Sequence, residues 1–456
     1  MQQTFAMIRT TICATLLASN AIVSAFHVPK SGASPNAISL LEQMKLSSST
    51  TLSSNRNDSD FDFDFDFAAA RASATKEQSR RSAIETSGKA LAGLLLSSSA
   101  SSIINPAVAK AANFYEYETN PQTILMTGCN SGIGYDAAQR LANKGHTVIM
   151  ACRTLTKATD AANRIQNDSK GELKLIPKEC NLADLKSIRS LVKDISGSGM
   201  ALDAVCLNAG LARNTSAKDV LRTTEGFELT IGTNHLGHFA LMQGILPLLE
   251  STTNENEGQG AAKRIIVTAS GVHDPESPGG AQGSKATLGD LSGLEKMVSD
   301  GVPFDMIDGG SYDADKAYKD SKLCNVLYTR ELQRRLNESG KNINVNCFNP
   351  GLIVSTGLFR DQNQVFTKIF DFAATDLLKV GETVSWGGGA LEYMTLDKQV
   401  SSKGGLYYTS PPGSSKYGDS AYGNQFSVSD VSREAQDVDK AKRLWELSEK
   451  LLGIAV

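Results

Sequence analysis

The stretch "DADKAYKDSKLCN", residues 313–325, sets Tyr318 four residues before Lys322, with a second lysine, Lys319, directly after the tyrosine. On a helix that spacing puts a phenol and an ammonium one turn apart on one face. Two readings fit the pair: an ordinary solvated helix face, or a catalytic acid. A tyrosine titrates at about 10 in water, too high to shuttle a proton easily at neutral pH. An ammonium one turn away favours the phenolate and draws that value toward working pH. On the second reading Tyr318 is a proton donor and Lys322 the group that tunes it.

Other candidates lie upstream. "TGCNSGIG" gives Thr127, Gly128, Asn130, Ser131, Gly132, Ile133 and Gly134 directly after an apolar run and at the start of an amphipathic segment. Glycines in that context permit a tight turn and let backbone approach a pyrophosphate at a helix N-terminus. The next apolar run ends in "ACRTLTKA", with Arg153 and Lys157 and no carboxylate. Two cations there favour NADP over NAD, since an acidic residue would repel a 2′-phosphate; the alternative is a pair of solvated basic residues. "CNLAD" supplies Asn181 and Leu182, "LNAG" supplies Asn208, Ala209 and Gly210, "TNHLGHF" supplies Asn234, and "VTAS" supplies Ser270. Taken singly, Ser270 is a strand-end hydroxyl and Asn234 a helix-surface amide.

The elements that must position these residues are legible from Thr123 onward. "TILMTG", "TVIMACR", "LKLIPKECN", "AVCLNAG", "RIIVTAS", "INVNCFNPG" and "GLYYTS" read as seven buried strands. Runs apolar throughout imply a parallel sheet covered on both faces. Amphipathic segments such as "GYDAAQRLANKG" lie between them. The expectation is one α/β domain over 112–456, Rossmann-type and doubly wound, with a mostly parallel seven-stranded sheet and helices on both faces.

Composition sets the remaining bounds. A net charge of −3 supplies no basic excess to neutralise phosphates, so no nucleic-acid partner is expected. The seven cysteines show no metal-ligand spacing and several sit in apolar runs, so they read as reduced structural thiols, with no metal site. The first 111 residues read as targeting sequence rather than fold: a signal peptide over 1–25, a low-complexity, disordered transit region over 26–79 with "DFDFDFDF", and a second targeting segment over 80–111. Phe26, after the expected cleavage point, resembles the two-part plastid presequence of algae with secondary plastids. Arg80-Arg81 followed by an apolar run resembles a twin-arginine thylakoid signal; an amphipathic tether is the alternative.

Asn234, Ser270, Tyr318 and Lys322 match, in order, the catalytic set of the short-chain dehydrogenase/reductase superfamily. Ser270 and Tyr318 are separated by 47 residues, far more than in most of that superfamily. This insertion, about 271–313, with "MIDGG", "KAYKDSK", "TTEGFELTIGTNHLGHF", "STGLFRDQN" and the C-terminal "SREAQDVDKAKRLWELSEKLLG", resembles the light-dependent NADPH:protochlorophyllide oxidoreductase branch. The resemblance implies NADPH as cofactor and light-driven reduction of a porphyrin D-ring double bond. Ser270 would hold the reacting group, Asn234 would carry a water chain behind Lys322, and Lys322 would also bond the nicotinamide ribose. It further places Pro350, Gly351, Ile353 and Thr356 at the cofactor, and Asn349, Leu352 and Phe359 at the substrate, with a lid helix in "QVFTKIFDFAATDLL".

The implied partners are a tetrapyrrole or other lipophilic small molecule and the thylakoid membrane surface; a homo-oligomer is compatible. The sequence departs from the family where "YPGC" becomes "FNPGL": Asn349 replaces the tyrosine and Leu352 the cysteine, and a leucine neither donates a proton nor bonds a water. Asn181 stands where an aspartate usually holds the adenine amine. A second reading is therefore dark carbonyl or alcohol redox on a lipophilic plastid compound such as a carotenoid, which the resemblance of "KLCNVLYTRELQRRL" to retinol dehydrogenases supports. A third is a non-catalytic pigment- or NADPH-binding thylakoid protein.

Overall fold

The computed structural model describes Tyr117 and residues 120–251, 262–354, 381–417 and 425–454. The segments 1–25, 26–79 and 80–111, Cys13, and the stretch 355–380 with Thr356, Phe359 and the expected lid helix lie outside the described residues.

In chain order the elements are β1 (Thr123–Thr127), α1 (Gly132–Asn143), β2 (Thr147–Cys152), α2 (Leu155–Asn167), β3 (Leu175–Glu179), α3 (Leu185–Ser198), β4 (Ala204–Leu207), α4 (Gly237–Ser251), β5 (Lys263–Thr268), α5 (Ser292–Asp300), α6 (Ala314–Glu338), β6 (Ile343–Phe348), α7 (Val384–Leu396), β7 (Tyr407–Thr409), β8 (Ser427–Ser429) and α8 (Val438–Leu451). They form one sheet in the order β3-β2-β1-β4-β5-β6-β7-β8. Every neighbouring pair is parallel except β7 with β8. Chain order reverses between β1 and β4, and in such sheets the crevice at the carboxyl ends of the strands is where ligands bind.

The sheet thus has eight strands rather than the seven expected. The eighth is a short antiparallel edge of three exposed residues, held by backbone pairing to β7. Its one apolar residue, Val428, is exposed between two serines, so hydrophobic patterning could not reveal it.

Alternation along each strand splits the core in two. Leu125, Ile149, Val205, Ile265 and Val345 face one side, with Leu191 of α3, Phe239 of α4, Leu327 of α6 and Trp445 of α8. Ile124, Met126, Val148, Met150 and Ile266 face the other, with Leu141 of α1, Ile165 of α2 and Trp386 of α7. Both faces are covered, which is why the strands read as apolar throughout. The described cysteines are all free and buried. α6 begins where Asp313 accepts a hydrogen bond from the Lys316 N–H at 3.0 Å, an N-cap that fixes the register of the turn carrying Tyr318. α4 is entered through one π-helical stretch, Gly232–Leu236, which includes Asn234.

Candidate active site

At the end of β1 the chain turns through Gly128, at φ 73°, and Gly132, at φ 59°, both in the left-handed region that glycine reaches without strain. A Cβ added to Gly134 would stand 2.3 Å from the Gly128 carbonyl oxygen and 2.5 Å from Asn208 Nδ2. The turn is therefore closed to any side chain. Ser131 sits at the N-cap of α1 without a side-chain cap bond, leaving first-turn N–H groups open to an anion. Thr127 Oγ1 accepts from the backbone N–H groups of Asn208 at 2.9 Å and Ala209 at 3.0 Å. Asn208 Nδ2 donates back to the Thr127 carbonyl at 3.0 Å. These bonds staple the carboxyl ends of β1 and β4 together at the point where strand order reverses.

A cavity of about 740 Å³ opens from this turn. Its wall runs from Thr127, Gly128 and Asn130–Gly134 past Arg153 and Lys157, then Asn181 and Leu182, then Asn208–Gly210. It continues through Ser270, Tyr318 and Lys322 to Asn349, Pro350, Gly351, Leu352 and Ile353. One cavity thus gathers all of the candidate residues except Asn234, buried behind it, and Thr356 and Phe359, outside the described residues. Arg153, just after β2, and Lys157, in the first turn of α2, are both exposed. Asn181 Oδ1 accepts from the Ala183 N–H at 3.2 Å and keeps a second lone pair. A cation not singled out from sequence, Arg164, donates to the Asn130 carbonyl at 2.9 Å and lies 4.9 Å from the Tyr135 ring centre. The glycine cradle, the open helix end and the flanking cations suit a long dinucleotide with an extra phosphate.

Tyr318 and Ser270 share the cavity wall; the Ser270 hydroxyl is the one group drawing the phenol's pKa down, while burial pushes it well above the ordinary value. Lys322 is 3% exposed and its Nζ donates to the Thr268 carbonyl at 2.9 Å, 5.7 Å from the Tyr318 ring centre. Burial lowers its ammonium to about 8. The expected lowering of the phenol by Lys322 is therefore not found: low polarity around the pair favours the neutral form of both groups.

Asn234 is saturated within the protein. Its Oδ1 accepts from the Leu211 N–H at 2.9 Å, and its Nδ2 donates to the Leu211 carbonyl at 2.9 Å and to Ser321 Oγ at 3.0 Å. The side chain ties the segment after β4 to the helix carrying Tyr318, so the chain of bonds expected behind Lys322 has no donor or acceptor left on this amide except spare lone pairs. One turn on, His238 bridges the Asn234 carbonyl at 3.1 Å and Thr127 Oγ1 at 3.0 Å. Burial lowers its imidazole to about 4, which keeps it neutral. Only the four-residue spacing of Asn234 and His238 in "NHLGH" hinted at this bridge.

At the far end, Asn349 Nδ2 donates to Thr409 Oγ1 at 3.1 Å and its Oδ1 accepts from the Gly351 N–H at 3.2 Å. Leu352 is half-buried on the wall. The insertion folds against α6. Lys316 Nζ donates to the Thr287 carbonyl at 2.6 Å and pairs with Asp308 at 3.0 Å, and Asp320 Oδ1 accepts from the Thr287 N–H at 2.9 Å. Lys319 turns away from Tyr318 to the carbonyls of Gln282 and Ser284 and to Asp315. The second lysine is a clamp on the insertion.

A family model described as short chain dehydrogenase matches residues 122–288. The protochlorophyllide reductase of Cucumis sativus is 36% identical over 354 residues, covering 77% of this chain and 83% of that protein. Protochlorophyllide reductase A of Arabidopsis thaliana is 35% identical over 353 residues, covering 77% and 81%. A solved structure of an uncharacterized protein from Mycobacterium paratuberculosis aligns at 27% identity and a TM-score of 0.49, covering 73% of this chain and 93% of its own. The chain belongs to the protochlorophyllide reductase family of the short chain dehydrogenases and is an oxidoreductase.

Proposed function

We propose that this chain is an NADPH-dependent reductase of a protochlorophyllide-type tetrapyrrole, working when the pigment absorbs light. The observation that carries the reading is the placement of Ser270, Tyr318 and Lys322 together on the wall of one cavity that begins at the glycine turn and ends beyond Leu352. NADPH, when bound, supplies the hydride.

The chain's own residues do the rest. The glycine turn and the open end of α1 receive the pyrophosphate, and Arg153 with Lys157 meet the 2′-phosphate. Asn208 and Thr127 hold the two strand ends at a fixed separation beneath it. Ser270 orients the Tyr318 phenol. Tyr318, protonated at neutral pH as an ordinary phenol is, gives its proton to one carbon of the reduced double bond. Lys322, as the ammonium, stabilises the phenolate left behind. The insertion, clamped to α6 by Lys316, Lys319 and Asp320, closes the wall beside Ser270.

Asn349 and Leu352 on the cavity wall favour a second reading, dark reduction of a carbonyl on a lipophilic plastid compound. A wall leucine suits an apolar ligand and offers no proton. The plastid-directed pattern of the N-terminal sequence supports a location in that organelle, and we place the enzyme at the thylakoid surface.

The test mixes the purified full chain with NADPH and protochlorophyllide in darkness and records the pigment's red band before and after one flash. A shift to the chlorophyllide band only after the flash is the expected result. Pigment binding without conversion would reject light-driven reduction and favour the dark carbonyl reaction.

A further inference from the structure

His273 is 1% exposed and lies on the wall of the same cavity, yet none of the roles above uses it. Its Nδ1 stands 2.7 Å from the Ser270 carbonyl oxygen, and its Nε2 stands 3.3 Å from the Ser432 backbone N–H. A carbonyl only accepts and an amide N–H only donates. One neutral tautomer satisfies both partners: Nδ1 carries the proton and Nε2 the lone pair. Burial, acting against the bond to Ser270 and the nearby Asp274 carboxylate, holds the imidazole below its ordinary value and so neutral at neutral pH. Tyr407 of β7 packs edge-on to the ring at 4.9 Å between centres and restrains its tilt.

Ser270 needs such a hold. It caps the short turn Gly271–His273, and the two backbone donors that secure it are distant: Val272 N–H to Ser270 Oγ at 3.4 Å and His273 N–H to the Ser270 carbonyl at 3.3 Å. Both are long for an N–H···O bond. The imidazole bond is the short one.

We propose that His273 is a positioning residue: it fixes the backbone at Ser270, and through it the hydroxyl that meets Tyr318, while anchoring that turn to the C-terminal segment at Ser432. The proposal deepens the reductase reading in one respect, since it rests on Ser270 serving Tyr318.

Two conservative variants separate the bonds. In His273→Asn the amide nitrogen can take the place of Nδ1 toward the Ser270 carbonyl. In His273→Gln the longer amide reaches the place of Nε2 toward Ser432 instead. Because misplacing a reacting group by about 1 Å costs on the order of 100-fold, we expect His273→Gln and His273→Phe to lose at least ~10-fold in kcat, with His273→Asn within ~3-fold of wild type. KM for NADPH should stay within about twofold in all three, with kcat referred to NADPH-binding sites titrated in each preparation so that unfolded protein is not counted.

In the wild-type protein labelled with 15N-histidine, the signal missing from His273→Asn should be that of a neutral imidazole protonated at Nδ1. Equal kcat for His273→Asn and His273→Gln, or a proton on Nε2, would overturn the proposal. Failure of wild type to convert protochlorophyllide would instead count against the reductase reading, and the tautomer alone would then decide the role of His273.

Discussion

The two ends of the cavity are held in different ways. At the glycine turn, backbone geometry does most of the positioning: Gly128 and Gly132 adopt left-handed angles and Gly134 leaves no room for a Cβ, with the Thr127 hydroxyl gathering two backbone N–H groups. At the substrate end, side chains do it. Asn349 bonds Thr409, and the insertion is pinned to α6 by Lys316, Lys319 and Asp320. A wall set by backbone geometry tolerates almost no change of residue type. One set by side-chain contacts can exchange residues while the fold stays, and that is where this chain carries Asn349 and Leu352. Cofactor use is thus constrained by the fold, and substrate choice is the freer variable.

Tyr318 sits at the junction, and removing its hydroxyl should stop the chemistry while leaving binding at either end in place. Tyr318→Phe should lower kcat by about 10³-fold, within the range for loss of a general acid, while NADPH affinity stays within a few-fold. Normal turnover in a single-flash assay would refute the acid assignment. Gly134→Val tests the backbone end alone. With the Gly128 carbonyl 2.3 Å from the new Cβ, overpacking of roughly 1–3 kcal/mol should fall on the turn. Fluorescence titration should then show NADPH binding lost while pigment binding survives.

Arg153→Ala is a milder test of the same end. Loss of one charge-assisted bond, about 1.5–3 kcal/mol, should weaken NADPH by about 10- to 100-fold and leave NADH nearly unchanged; equal weakening of both would remove Arg153 from the 2′-phosphate site. The smallest effect belongs to the substrate end: Leu352→Cys should raise flash yield by a few-fold with NADPH binding untouched. No change would shift the limitation to Asn349.

The sequence carried the backbone end well, because its requirements are written in residue types. Apolar runs marked β1 to β7, and the glycine spacing marked the turn. What it missed depends on partners far away along the chain. β8 consists of three exposed residues paired only to β7. His273 contacts Ser432, and Lys319 reaches Gln282 and Ser284. Spacing showed that Tyr318 and Lys322 share a helix face, but not that Lys322 is buried or that it is aimed at the Thr268 carbonyl. Burial then reversed the expected direction of the phenol shift.

The central claim is that one cavity brings a hydride from NADPH and a proton from Tyr318 to the same double bond. The most direct measurement illuminates the full chain with protochlorophyllide and NADPH deuterated at the transferred position, in ordinary water, and weighs the pigment product. The account predicts chlorophyllide one deuterium heavier than from unlabelled cofactor, formed only in the light and lost in Tyr318→Phe. Product without deuterium, or no product from the wild-type chain, would contradict it.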